Sequence, residues 1–342
     1  MSLSWNILGR PGADNAVLVT VDSGHSQDKI LFDCGENCLG FLRISELQAV
    51  DHLCFSHFHM DHVCGFDTFF RHNYNRPFGP VQVWGPPQAR DVLHHRFRSF
   101  TWNLHADQPG EWIVREWDGS TVDSSRFLTR EAFATAHELP SSESPDGLLF
   151  KDDNFELQCR LLPHATTSSA AYRIVESDRR NVCPEALQEC EWLPGKWLQD
   201  LTNDDLPDDH LVEEESSTRP LGELRDALLT TSPGESIAYL TDFRLEPGSE
   251  EWDELVDWLE GTGTLICECQ YRFEDLSLAH KHGHMTAKET GQLARSAKVG
   301  QLVLHHLSRR YLQHEWTEMK REAGNEFGDV IFPRDWSEFV PG

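Results

Sequence analysis

Positive charge is what this sequence most lacks. It carries 30 lysines and arginines against 57 aspartates and glutamates, a net charge of −27 over 342 residues. Such a balance favours solubility and opposes general affinity for nucleic-acid backbones or anionic membranes. No apolar run reaches the roughly eighteen residues a membrane helix needs. The opening Met1-Ser2-Leu3-Ser4-Trp5 has neither the basic nor the apolar region of a secretory signal. The nine cysteines include no repeated Cys-x-x-Cys pair, which favours a reducing cytoplasm over a disulfide framework. Cys267 and Cys269 alternate on a strand-like run and read as buried thiols. With 39% hydrophobic residues and 10% aromatics, the chain can fill a sizeable core.

What the sequence has is a dense cluster of metal-ligating side chains. After the apolar run Val50 to Phe55 comes Ser56-His57-Phe58-His59-Met60-Asp61-His62, which reads His-x-His-x-Asp-His. His57 and His59, two apart, project from one side of extended backbone, and Asp61 and His62 turn the other way. One metal cannot easily take all four from so tight a turn, whereas two adjacent metals can. Imidazole and carboxylate together suit zinc, with manganese or iron as substitutes. A solvated histidine-rich loop would explain one or two of these histidines but not their spacing after a strand.

Four more positions share the pattern of a ligating residue just past an apolar run. His164 follows Leu161-Leu162-Pro163, and Asp242 follows Tyr239-Leu240-Thr241. His284 sits in Gly283-His284-Met285-Thr286, and His306 closes Leu302 to His305. Strand ends of this kind gather polar residues around a site in α/β sheets. Singly, each is more often a satisfied structural residue. Together they supply what a two-metal centre needs.

Patterning places these residues. Strands are expected at Ala16–Val21, Lys29–Gly35, Pro80–Pro86, Phe155–Leu162, Ser236–Asp242, Thr264–Gln270 and Gln301–His306. Trp252, Leu255, Val256 and Leu259 recur at helical spacing, and Thr286-Ala287-Lys288-Glu289 is a capping box opening a helix to about Lys298. Between Gln199 and Asp226 lie ten acidic residues opposed by Arg219 and Arg225 alone. With its Pro- and Ser-rich stretches, this part reads as a loop-like insertion. The expectation is a single domain over residues 1–342 carrying an acidic insertion or loop around 178–235.

The ordered set of motifs resembles the metallo-β-lactamase superfamily and, within it, the ribonuclease Z branch. The resemblance runs from Lys29 to Tyr311. It rests on Leu31-Phe32-Asp33-Cys34-Gly35, Ser56 to His62, Pro163-His164, Leu240-Thr241-Asp242, Cys267-Glu268-Cys269, His284-Met285-Thr286 and His306-Leu307-Ser308-Arg309-Arg310-Tyr311. The last two are specific to that branch. The resemblance implies a four-layered αβ/βα sandwich and a hydrolase acting on phosphodiesters with two zinc ions. His57, His59 and His164 would hold the first ion and Asp61, His62 and His306 the second, with Asp242 bridging. A hydroxide between the ions would attack. Asp61 would also orient the nucleophile, and His284, held by Glu268, would protonate the leaving oxygen. His282 and His305 flank these ligands.

A tRNA precursor is the substrate implied, and branch members are often homodimers. The segment corresponding to the branch's RNA-gripping arm, Arg180–Pro184 through Leu193–Leu198, is followed at once by the acidic run, the wrong sign for phosphate. A small phosphodiester, an ester or a lactone is the alternative substrate, and a metal-binding scaffold without catalysis the alternative class.

Overall fold

The computed structural model describes residues 2–24, 26–189, 193–203, 206–214 and 217–340. They form two compact units, Met1–Val175 with Glu235–Gly342, and Glu176–Gly234.

Two mixed sheets make the larger unit. In the first, eight strands lie side by side in sequence order: Ser2–Gly9, Asn15–Asp22, Gln27–Phe32, His52–Cys54, Val81–Gly85, Glu111–Trp117, Thr121–Leu128 and His137–Glu143. In the second, the spatial order is Val330–Ile331, Gln301–His305, Thr264–Glu268, Ser236–Leu240, Thr167–Glu176, Phe155–His164 and Leu148–Lys151. Alternation within the strand Asn15–Asp22 shows how the layers form. Val17, Val19 and Val21 point into a core shared with Phe155, Leu157 and Ile174 of the second sheet. Ala16 and Leu18 point the other way, toward Phe66, Phe69, Leu93 and Phe97 on the helices Phe66–Asn73 and Ala89–Phe97. Outside the second sheet lie the helices Glu250–Leu259, Ala287–Ser296 and Gln313–Gly324, which bury Trp252, Leu255, Leu293 and Met319. Helix, sheet, sheet, helix is the expected four-layered α/β sandwich. Each fully buried Val or Leu contributes about 1.5–3 kcal/mol to holding it.

Register brings the polar residues to one edge. Leu240, Cys267 and Leu304 are neighbours across three parallel strands, so Asp242, Cys269 and His306 all follow two residues past the same row. The capping box is present: Thr286 Oγ1 accepts from Glu289 N, and Glu289 Oε2 accepts from Thr286 N. It fixes the helix start two residues after His284. That helix ends at Ser296, just short of the expected Lys298.

The acidic middle differs from its loop-like reading. Leu211–Glu214 pairs with Ser217–Pro220, and Leu221–Leu228 is a helix. The physical reason is a small apolar core of Trp197, Leu201, Val212, Leu221, Leu224 and Leu228 beneath the charges. Asp204, Asp205, Glu215 and Ser216 of that run lie outside the described residues. Among the described residues, no helix is long and apolar enough to cross a membrane.

One close approach anchors the metal-motif loop. Gly65 N donates to Cys34 O at 2.8 Å, and a Cβ on Gly65 would collide with the Gly35 carbonyl oxygen. Gly65→Ala is therefore expected to destabilise the fold by about 1–3 kcal/mol, read as a lowered denaturation midpoint; an unchanged midpoint would show that this backbone contact yields freely.

Candidate metal centre

Seven of the sequence-predicted residues converge on one point. His57, His59, His164 and Asp242 place one donor atom each within 4.8 Å of one another, as do Asp61, His62, Asp242 and His306. Asp242 belongs to both sets, and its two oxygens divide between them. Oδ2 lies 3.7 Å from both His57 Nε2 and His164 Nε2. Oδ1 lies 3.3 Å from His62 Nε2 and 3.4 Å from His306 Nε2. Asp61 Oδ2 completes the second set, 3.5 Å from His62 Nε2 and 3.6 Å from His306 Nε2.

The outward sides of the imidazoles are fixed by the fold. His164 Nδ1 is 2.9 Å from Gly283 O, which can only accept, so the proton sits on Nδ1 and the Nε2 lone pair faces Asp242. His62 Nδ1 is held in the same way at 2.8 Å by Asp33 Oδ2. His57 Nδ1 meets Ser56 Oγ at 3.1 Å, and His306 Nδ1 meets the Gln270 side-chain amide at 3.2 Å. Inside the cluster, His57 Nε2 and His62 Nε2 are buried with no hydrogen-bond partner. Buried nitrogens left without partners, ringed by carboxylate, are what a cation-binding site looks like before the cation is counted.

Electrostatics agree. Burial, with His62 beside it, pushes His57 down to about 2. Burial also opposes charge on His62, but Asp242 and Asp33 overcome it and hold that imidazole well above its usual value. Asp242 is resisted by burial yet pulled well below the carboxylate range by His306 and His62. The pocket thus favours a carboxylate facing positive charge, the arrangement a divalent ion satisfies.

Three left-handed residues sit at the corners of this cluster: Asp33 (φ 58°), Asp242 (φ 51°) and His306 (φ 53°). Strain of this kind, roughly 1 kcal/mol or more each, concentrates at functional sites.

A third group adjoins the first two. Glu268, His284 and His306 also come within 4.8 Å. His284 Nδ1 is 3.0 Å from Glu268 Oε2, while Glu268 Oε1 accepts from Phe243 N at 2.7 Å. Burial lowers the His284 pKa, but the Glu268 charge and hydrogen bond more than reverse this, raising it to about 9. His305 Nε2 is instead 3.1 Å from Leu240 O, and His282 Nδ1 2.7 Å from Tyr271 Oη, so both flanking histidines serve the frame.

Asp33 is the residue sequence reasoning left without a role. Fully buried, it takes four donors: Ser56 N and Ser56 Oγ at 2.7 Å, Tyr239 Oη at 2.7 Å and His62 Nδ1 at 2.8 Å. The signal was available, because Asp33 follows an apolar strand just as Asp242 does. The basic residues near the motifs are mostly matched. Arg272 is bracketed by Glu274, Glu315 and Glu322, and Arg310 faces Asp275.

The beta-lactamase superfamily domain model matches residues 28–159. Ribonuclease Z from Deinococcus radiodurans is 40% identical over 335 residues, 98% of both chains. The chain belongs to the ribonuclease Z family. The Streptomyces avermitilis ribonuclease Z is 27% identical over 90% of this chain and 86% of its own. Among solved structures, the short form of human tRNase Z superposes with a TM-score of 0.53 at 17% identity, covering 97% of this chain and 96% of that one. The metallo-β-lactamase-fold protein YhfI of Bacillus subtilis superposes with a TM-score of 0.56 at 15% identity, over 96% and 95%. These two speak for the fold. The chain is thus a metal-dependent hydrolase, a ribonuclease of the metallo-β-lactamase fold, and its buried His/Asp cluster fits a divalent-metal site.

Since Asp33 both orients His62 and satisfies three other donors, Asp33→Asn should weaken metal affinity about 10–100-fold in chelator competition. Retention of full affinity would mean that Ser56 and Tyr239 suffice to hold the loop.

Proposed function

We propose that this ribonuclease Z relative is an endoribonuclease that cuts phosphodiesters in RNA, tRNA precursors first among them, using two zinc ions. His57, His59 and His164 would hold one ion, Asp61, His62 and His306 the other, and Asp242 both. The observation that carries this is the two-sided carboxylate of Asp242, one oxygen toward each histidine set. Two divalent cations in such a cluster supply a lowered pKa for attacking water and an offset for charge on the phosphoryl oxygens.

The chain's own groups do the rest. Asp61 is the most exposed carboxylate of the cluster, with a side chain 46% exposed. Burial resists its charge, but His306 and His62 hold it far below the usual carboxylate range, so it is ionised and faces solvent. It orients the attacking water and takes its proton as the new O–P bond forms. His284 supplies the proton to the ribose oxygen that leaves as the old P–O bond breaks. Its Nδ1 is tied to Glu268, which leaves Nε2 to face the substrate, and Phe243 N keeps Glu268 in place. Glu268 is thus a positioning residue.

We further read residues 1–342 as one domain of this fold carrying the segment around 178–235 as an insertion. A homodimer in a reducing cytoplasm is part of the same reading. The eight cysteines among the described residues, all free, support the compartment.

Two measurements test the chemistry. His284→Ala should lower kcat on a precursor tRNA by about 10²–10⁴-fold with metal content unchanged, and Glu268→Gln should lower kcat with little change in KM. Unchanged kcat in His284→Ala sinks the acid role. Asp242→Ala should lose bound metal and with it turnover of both precursor tRNA and bis-p-nitrophenyl phosphate. Hydrolysis of the small diester alone by the metal-loaded wild type would move the substrate from RNA to small phosphodiesters.

A further inference from the structure

A second polar site lies at the opposite end of the strands that carry the metal loop. The loop of His57 to His62 leaves the C-terminal end of His52–Cys54. At the N-terminal ends of that strand and of Val81–Gly85 there is a cleft of about 410 Å³, lined by Asp51, His52, Arg76, Phe78, Arg115 and Phe150 among others. That size is within the range of small-ligand pockets.

Its walls present donors that the protein does not use. Trp84 Nε1 donates to His52 Nδ1 at 3.0 Å, and an indole can only donate. The His52 proton therefore sits on Nε2, and no protein acceptor meets it among the described residues. His52 is only 6% exposed, and burial, aided by Arg115 and Arg76, keeps it neutral by lowering its pKa to about 4. Arg76, also 6% exposed, spends its terminal nitrogens on the carbonyls of Gln48, Val50 and Pro80, while its Nε is buried and unpartnered. Arg115 donates to Gln82 Oε1 and lies 4.6 Å over the Trp84 ring. Among the described residues no carboxylate pairs with it, and burial alone depresses its pKa.

An arginine without a carboxylate partner is notable in a chain with a net charge of −27. The one acid in the cleft, Asp51, already accepts from Lys29 N at 2.9 Å, and burial raises its pKa. Two guanidinium groups thus share the cleft with one carboxylate, which is already engaged by Lys29 N. Holding them half-desolvated is costly unless an anion joins them. At the rim Phe78 is 57% exposed, with Arg76 5.4 Å from its ring centre. It offers a flat apolar face to a planar ring.

We propose that this cleft binds a nucleoside monophosphate, with the phosphate on the donors of His52 and Arg115, the Arg76 charge behind them and the base against Phe78. The site is separate from the metal cluster and needs none of its residues.

Isothermal titration of the metal-loaded protein with adenosine 5′-monophosphate, adenosine and inorganic phosphate tests it. The monophosphate should bind at least tenfold more tightly than adenosine, and Arg115→Gln should weaken it about tenfold, roughly 1.4 kcal/mol. Turnover of bis-p-nitrophenyl phosphate by that variant should stay at the wild-type level, which also shows that it folds. Phe78→Ala, at a solvent-exposed position, should weaken the monophosphate and leave inorganic phosphate unchanged. An isotherm unaltered by Arg115→Gln overturns the proposal, as does no binding to the wild type. Competition between the monophosphate and the diester substrate would place the ligand at the metals and overturn it equally.

Discussion

One buried carboxylate ties the histidine loop to both sheets. Asp33 follows a strand of the first sheet and receives Tyr239 Oη from a strand of the second. The same carboxylate takes Ser56 at the mouth of the histidine loop and His62 at its far end. Four charge-assisted hydrogen bonds to a fully buried group are strong because water cannot compete for them. Remove the carboxylate and four buried donors lose their acceptor together. The contact between the sheets and the shape of the histidine loop thus share one carboxylate, and His62 takes its orientation from it.

Most of the candidate site was legible in the sequence because its residues obey a single local rule. His164, Asp242 and His306 each follow an apolar strand, and strands are recognisable from alternation or from continuous apolar runs. The His-x-His-x-Asp-His loop was legible from spacing alone. The shared role of Asp242 was legible only through the family resemblance, since nothing local says that its two oxygens face different histidines. Asp33 escaped for the same reason. Its partners at Ser56, His62 and Tyr239 are distant in sequence, and no periodicity connects them.

The fold was legible to the extent that helices and strands carried their own patterns. The acidic middle reads as loop-like from sequence because charge density hides a short apolar series. Trp197, Leu201, Val212, Leu221, Leu224 and Leu228 are too few and too far apart to register as periodic. Arg76 resisted reading in another way. Surplus acids favour ion pairing, and Arg96 and Arg90 pair with Asp67 and Glu138. Arg76 instead binds three backbone carbonyls, a partner type that composition never reveals.

The Tyr239–Asp33 bond spans 206 positions of chain. Contacts of such separation cost the most loop entropy to close, which the rest of the fold must offset. The His62 imidazole takes its orientation from a carboxylate that this long-range contact also holds. A nascent chain lacking its C-terminal strands would offer metal only a flexible histidine loop. Tight loading is then a property of the finished molecule, and captured metal reports that both halves of the sandwich have met.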